Sequence, residues 1–145
     1  MTDDAQAGGT ATRRDTAVVM ERFLELMPTD VLRAVEETTA DDVTWWFPES
    51  MSGGEMWHSK DEALQRLLET HKKNFEHGTM AISKRRVTLV SDRAGVAELD
   101  LVARTTSGKD YDNTYVFVFT FDDSGLIDSI REHMDSKRTV DIMRS

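Results

Sequence analysis

The chain contains no cysteine. Disulfide frameworks and thiolate metal sites are therefore excluded, and a reducing, cytoplasmic setting is the expectation. Positive charge is also scarce: 18 Lys and Arg stand against 27 Asp and Glu, a formal charge of −9. Nucleic-acid binding relies on clustered cations that displace counterions from phosphates. The one basic cluster, Lys84-Arg85-Arg86, is short and strand-like, so it reads as a solvated face and no nucleic-acid partner is expected. No apolar run approaches the ~18 residues that a membrane span requires. The start, Met-Thr-Asp-Asp, is the reverse of a basic export signal, so no membrane partner is expected either. Gly-rich phosphate loops, a Ser–His–Asp signature and HxxxH or HExxH spacings are all missing, which argues for no cofactor and no metal. The run Asp122-Asp123-Ser124-Gly125 is a hairpin turn, too short for a calcium loop.

What remains is a chain of 145 residues, 39 % hydrophobic, enough for one domain with a single core. Residues 1–13, MTDDAQAGGTATR, are small and polar without apolar periodicity and read as a disordered tail, leaving 14–145 as the domain. Asp15 or Thr16 can cap a helix carrying Val19, Phe23, Leu26 and Met27, which Pro28 ends. Thr29 or Asp30 caps a shorter one with Val31, Leu32 and Val35. Val43 to Phe47 is a β-branched and aromatic strand closed by Pro48, and Glu49 to His58 reads as a loop. Ser59 with Glu62 is a capping box. Leu64, Leu67, Leu68, His71 and Phe75 then mark one face of a long helix that Gly78 ends. Thereafter the period shortens to two, with strands near 79–90, 95–106, 111–121 and 126–135 joined by Ser91-Asp92, Ser107-Gly108 and Asp122–Gly125. Helices first and an antiparallel meander afterwards define an α+β fold. A curved sheet with helices on one face encloses an apolar cavity suited to a small molecule.

Three segments carry a family resemblance: Thr39-Ala40-Asp41-Asp42-Val43-Thr44 before the first strand, Asp112-Asn113-Thr114-Tyr115 opening the next-to-last, and Ile130-Arg131-Glu132-His133-Met134-Asp135 in the last. Over about residues 15–143 the chain resembles the cone-shaped α+β barrel of the nuclear transport factor 2-like (NTF2-like) superfamily. Within it, the resemblance is to SnoaL-like polyketide cyclases and the limonene epoxide hydrolase group. It implies a curved antiparallel sheet wrapped around N-terminal helices, a hydrophobic small-molecule substrate and a homodimer formed through the outer sheet face.

The resemblance also assigns positions. Phe47 stands where ketosteroid isomerases carry a general base, and Phe117 where they hold a protonated Asp. Phenyl rings exchange no protons, so that chemistry is not expected. The Asp–Arg–Asp set of epoxide hydrolases would need Asp135 and Asp100, but its arginine falls on Glu98, leaving Arg104 as a substitute. His133 lies two residues from Asp135, on the same face of an ideal strand, and such a pair can shuttle a proton near neutral pH. Plainer readings are an exposed histidine and a carboxylate capping the turn over Ser136–Met143. A bulge in this strand would instead send Glu132 and Met134 inward. Asn113 and Tyr115 share a face with Phe117 and could hydrogen-bond a substrate carbonyl. Trp45 and Phe47 face inward together and Trp46 outward, while Met51, Met56 and Trp57 could form an apolar lid. His71 reads as a core or pocket-lining residue.

The catalytic candidates are thus Asp135, His133, Asp100 and Tyr115. Those for substrate binding are Trp45, Phe47, Trp57, Glu98, Asn113, Phe117 and Met134. Replacement of acid–base positions by phenylalanine favours a cyclase of secondary metabolism that folds a polyketide-type intermediate into a ring, by pericyclic or aldol closure. The alternatives are an acid–base epoxide hydrolase or isomerase using Asp135 and Asp100, and a ligand-binding protein without catalysis.

Overall fold

The computed structural model describes residues 13–51 and 56–144. The expected tail lies outside them except for Arg13, whose guanidinium donates to the carbonyls of Asp92 and Asp122 and belongs to the folded domain.

Helix α1 (Thr16–Leu26) begins where the Asp15 carboxylate accepts the Ala17 N–H. Helix α2 (Val31–Thr38) begins where Asp30 accepts that of Arg33. Both caps satisfy amides that lack a partner in the first turn. Strand β1 (Thr39–Trp46) follows without a loop, four residues earlier than Val43. The hydroxyls of Thr38 and Thr39 donate back to the carbonyls of Ala34 and Val35, tying the junction into the helix. Helix α3 (Lys60–Asn74) starts at the capping box, with Ser59 accepting the Glu62 N–H at 3.0 Å. It stops at Asn74 rather than Gly78 because sheet partners take over its exit. Phe75 bridges Thr105, and the Glu76 N–H donates to the Arg104 carbonyl. Strands β2 (Ala81–Ser91), β3 (Ala94–Arg104), β4 (Asp110–Phe121) and β5 (Ile127–Met134) precede a last helix, α4 (Ser136–Arg144). Among the described residues no helix is long and apolar enough to cross a membrane.

The five strands form one curved, unclosed sheet in the order β1-β5-β4-β3-β2. The meander from β2 to β5 is antiparallel, as expected. The β1–β5 pair is parallel, which makes the sheet mixed. The reason is topological: α3 carries the chain from β1 to the far edge, so β1 meets the free edge of β5 running in the same direction.

The helices pack against the concave face. There β4 buries Tyr111, Asn113, Tyr115, Phe117, Phe119 and Phe121, and β3 contributes Ala97, Leu99 and Leu101. Phe23 of α1 sits in the middle, its ring 5.3 Å from Phe119, 5.9 Å from Trp45 and 6.2 Å from Phe117.

One irregularity sets the site. Phe119 pairs with Ile130 and Thr120 with Ser129, but Phe121 pairs with Ile127, leaving Asp128 as an extra residue. This β-bulge turns both Ile127 and Ile130 inward and shifts the alternation beyond them. Glu132, opposite Phe117, and Met134, opposite Tyr115, therefore share the concave face, and Arg131 and His133 lie on the convex one. The hairpin before the bulge turns at Gly125, where φ is +88° and a Cβ would stand 2.6 Å from the Arg14 carbonyl oxygen, so only glycine fits.

Candidate functional site

Between the concave face, α3 and α4 lies a cavity of about 360 Å³. A sphere of that volume is about 9 Å across, room for a two-ring skeleton. Its sheet wall is Trp45, Phe47, Leu101, Tyr115, Phe117 and Glu132, and its base is Met27, Val31 and Leu67. Its helix wall is Arg66, Thr70, His71 and Asn74 from α3, Phe75 just after it, and Thr139, Val140, Met143 and Arg144 from α4. Ser50, Met51 and Trp57 close one side. Trp57 is held by reciprocal backbone hydrogen bonds with Trp45, at 2.9 and 3.0 Å. Its ring centroid lies 4.7 Å from Phe47 and 5.5 Å from Trp45, so three aromatic rings form one corner of the cavity.

Glu132 is the acidic side chain of this wall. It is half-buried, and its Oε1 accepts a hydrogen bond of 3.0 Å from the Trp45 indole N–H. Removal from water disfavours the carboxylate and raises its pKa to about 7, and the indole bond offsets only part of that shift. Near neutral pH both forms of the carboxyl coexist, the condition under which one group can take and return a proton. Tyr115, on the same face, is buried and has its hydroxyl 2.6 Å from that of Tyr111, which in turn meets Thr139 Oγ1 at 2.7 Å. Burial, with the Glu132 carboxylate second, pushes the Tyr115 phenol well above its ordinary value, so it stays protonated.

The other candidates are dispersed. Asp135 is exposed at the end of β5, where its carboxylate accepts the Arg138 N–H at 3.1 Å and caps α4; the plainer reading fits its placement. His133 faces outward, its ring 4.9 Å from Trp46, because the bulge reverses the alternation that would turn it towards the cavity. Trp46 is half-buried rather than free, with the Arg131 guanidinium carbon 4.3 Å above its ring. Asp100 and Glu98 lie on the convex face of β3. Asp100 there accepts from Arg85 at 2.7 Å and from Thr114 at 3.0 Å, and the Arg85 hydrogen bond lowers its pKa. Arg104 pairs with Asp110 and Glu76 at the sheet edge. Asp100, Arg104 and Asp135 thus do not share a cavity. Asn113 faces inward but is consumed by structure, its Nδ2 donating to the Asp135 carbonyl at 2.9 Å and to Thr139 Oγ1 at 3.0 Å, which anchors α4. Met134 packs against the core beside Tyr115 rather than on the cavity wall. Met56 is exposed and away from the cavity.

Glu132 is absent from the catalytic candidates drawn from the sequence. A signal for it exists: Ile127 and Ile130 are three apart in a strand, and burying both requires the bulge that turns Glu132 inward.

With this architecture in place, the sequence pattern of SnoaL-like domains is found to match residues 20–130. The chain belongs to the SnoaL-like domain family. Comparison with curated proteins finds no match. Among solved structures, this SnoaL-like domain is similar to an NTF2-like protein of unknown function from Burkholderia pseudomallei, with TM-score 0.79, 17 % identity, and 91 % of this chain and 99 % of that one covered. It is also similar to a protein described as a SnoaL-like polyketide cyclase from Jannaschia sp., with TM-score 0.76, 14 % identity and coverage of 97 % and 99 %. A third is TerC, co-crystallised with polyporic acid, with TM-score 0.77, 15 % identity and coverage of 91 % and 100 %. At these identities the likeness is one of fold.

Proposed function

We propose that this SnoaL-like domain is an enzyme that closes a ring in a hydrophobic, carbonyl-bearing small molecule of polyketide type, with Glu132 as its proton-transfer group. The observation that carries the reading is a carboxyl with a pKa near 7 inside an aromatic cavity, oriented by the Trp45 indole. As a carboxylate, Glu132 takes a proton from the carbon next to a carbonyl, and the C–H electron pair passes into the enolate. The enolate carbon bonds to a second carbonyl carbon of the same molecule, and that carbonyl's oxygen becomes an alkoxide. Glu132 returns the proton to the alkoxide, so the step balances without another reactant. The aromatic corner of Trp45, Phe47 and Trp57 holds the apolar body so that the two carbons meet, an entropic gain of several kcal/mol in well-oriented systems. The structural likeness to the Jannaschia protein described as a SnoaL-like polyketide cyclase supports this class.

The base can be assayed directly with 5-nitrobenzisoxazole, a small bicyclic probe. Loss of its ring C–H proton to a base breaks the N–O bond and leaves the electron pair on a coloured phenolate. The protein should accelerate this elimination with a rate that rises with pH through about 7. E132Q should lower the rate by on the order of 10²- to 10⁴-fold, the usual contribution of a general base. Retention of more than a third of the rate in folded E132Q overturns the assignment.

A further inference from the structure

The helix wall of the cavity is as distinctive as the sheet wall and has no role in the step just described. Positions 67, 71, 74 and 75 of the chain fall on the inward side of α3 and its exit, and place Leu67, His71, Asn74 and Phe75 on the cavity. His71 is half-buried, and its ring lies against the edge of Phe75 with centroids 5.9 Å apart. Phe75 is in turn wedged against Tyr111 at 5.5 Å, so the imidazole plane is held by a packed ring rather than by a hydrogen bond. Among the described residues neither ring nitrogen of His71, nor the side-chain amide of Asn74, has a protein hydrogen-bond partner. Polar atoms on a cavity wall that no protein group occupies are open to water or to a ligand oxygen that takes the water's place.

The charge distribution says what that ligand offers. Burial lowers the His71 pKa, so near neutral pH the ring is an uncharged imidazole with one N–H to donate. Arg66 and Arg144 line the same wall. The chain as a whole is strongly acidic, yet the charged side chains on this wall are cations, and the carboxyl, Glu132, stands on the sheet side. A base on one wall and donors on the other suit a molecule that loses a proton at its sheet-side end and gathers negative charge on an oxygen at its helix-side end.

We propose that His71, with Asn74 beside it, donates a hydrogen bond to the carbonyl oxygen of the substrate and stabilises the negative charge that collects there when the enolate forms. His71 is then a second catalytic residue, and the substrate class narrows to enolisable ketones or 1,3-dicarbonyls whose oxygen points towards α3. The inference rests on the assignment of Glu132 as base for its catalytic consequence, but the oxygen site itself does not.

Binding of 2-naphthol and of naphthalene, followed by quenching of Trp45 and Trp57 fluorescence, separates the two. The pair share a skeleton that the cavity can hold and differ by one oxygen. The wild-type protein should prefer 2-naphthol by about threefold to tenfold, the worth of one hydrogen bond. H71L should abolish the preference while leaving naphthalene affinity nearly unchanged, and H71Q, which keeps a donor, should restore part of it. E132Q should retain the preference even where it has lost elimination activity. In the unsubstituted protein, 2-naphthol and not naphthalene should shift the ring ¹⁵N signals of His71, a readout that needs no variant to fold. Equal affinity for the two probes, or a preference lost in E132Q and kept in H71L, overturns the inference. In that event the 5-nitrobenzisoxazole assay still decides separately whether Glu132 is a base.

Discussion

The two faces of the sheet are built from the same strands, residue by residue in alternation, and do opposite things. On β4 the inward residues are Tyr111, Asn113, Tyr115, Phe117, Phe119 and Phe121, all buried. Their immediate neighbours Thr114, Val116 and Val118 face outward and are half-buried, and Asp112 and Thr120 are exposed. On the concave side, ionisable groups sit among aromatic rings, and their proton equilibria move far from ordinary values. On the convex side, side chains meet near water: Asp100 pairs with Arg85, and His133 and Arg131 pack on the Trp46 ring. An exposed ion pair such as Asp100–Arg85 contributes little to stability and leaves both partners charged. A carboxylate is therefore a candidate for chemistry according to the face it occupies, and residue type alone does not select it. Glu132 has the environment that Asp100 and Asp135 lack.

The comparison can be broken first at Phe117 and Val118. F117A should cost about 3–5 kcal/mol, measured by urea denaturation, because a fully buried ring that touches Phe23, Tyr115 and Phe119 leaves a cavity. V118K, one residue on, should leave the fold intact. We propose that the convex face, whose Val96, Val116, Val118 and Trp46 no helix covers among the described residues, pairs with a second copy of the chain. Two facing lysines would then repel, and like charges opposed across an interface cost several kcal/mol. Light scattering should read a dimer for the wild type and a monomer for V118K. A wild-type monomer at micromolar concentration, or an unfolded V118K, would remove the distinction between the faces.

The next effect concerns pH. The Glu132 carboxyl titrates near 7 in the folded chain and in the ordinary carboxylate range, near 4.5, in the unfolded one. Between those values the folded state holds a proton that the unfolded state has lost. Stability arising from this group is thus complete below about 4.5 and falls as pH rises towards 7, by about 1.4 kcal/mol per pH unit at most. E132Q cannot ionise, so its melting temperature should vary less across this window and exceed that of the wild type at pH 8. Parallel melting curves for the two proteins would place Glu132 in water rather than in the cavity.

Smaller effects belong to the carboxylates outside the cavity. D135N keeps an acceptor at the α4 N-cap, so stability should fall by at most about 1 kcal/mol. More than a third of the elimination rate should persist, because the side chain does not reach the cavity. D100N should cost less still, a few tenths of a kcal/mol, since it weakens one exposed pair. A thousandfold loss of rate in either variant would restore the acid–base reading built on Asp100 and Asp135.

Much of this molecule is legible along the chain because it depends on neighbours in sequence. Asp15, Asp30 and Ser59 cap helices through amides two or three residues away. The alternation of Tyr111 to Phe121 assigns Tyr115 and Phe117 to one face, since the pleat has period two. Pro48 and the Gly125 turn mark ends of elements for equally local reasons. The family pattern along residues 20–130 is of the same kind, a property of order and spacing.

The site depends on partners far apart in sequence. The β1–β5 pairing is parallel because α3 crosses the concave face, a choice made by packing, and it brings Trp45 beside Glu132, 87 positions away. The single extra residue at Asp128 decides that Glu132 faces the cavity and His133 the outside, because in a strand one residue of slip exchanges the faces of everything beyond it. Local propensity does not distinguish the two registers. Burial of both Ile127 and Ile130 against Phe121 and Phe119 does, and that energy exists only once the sheet and helices have closed around them.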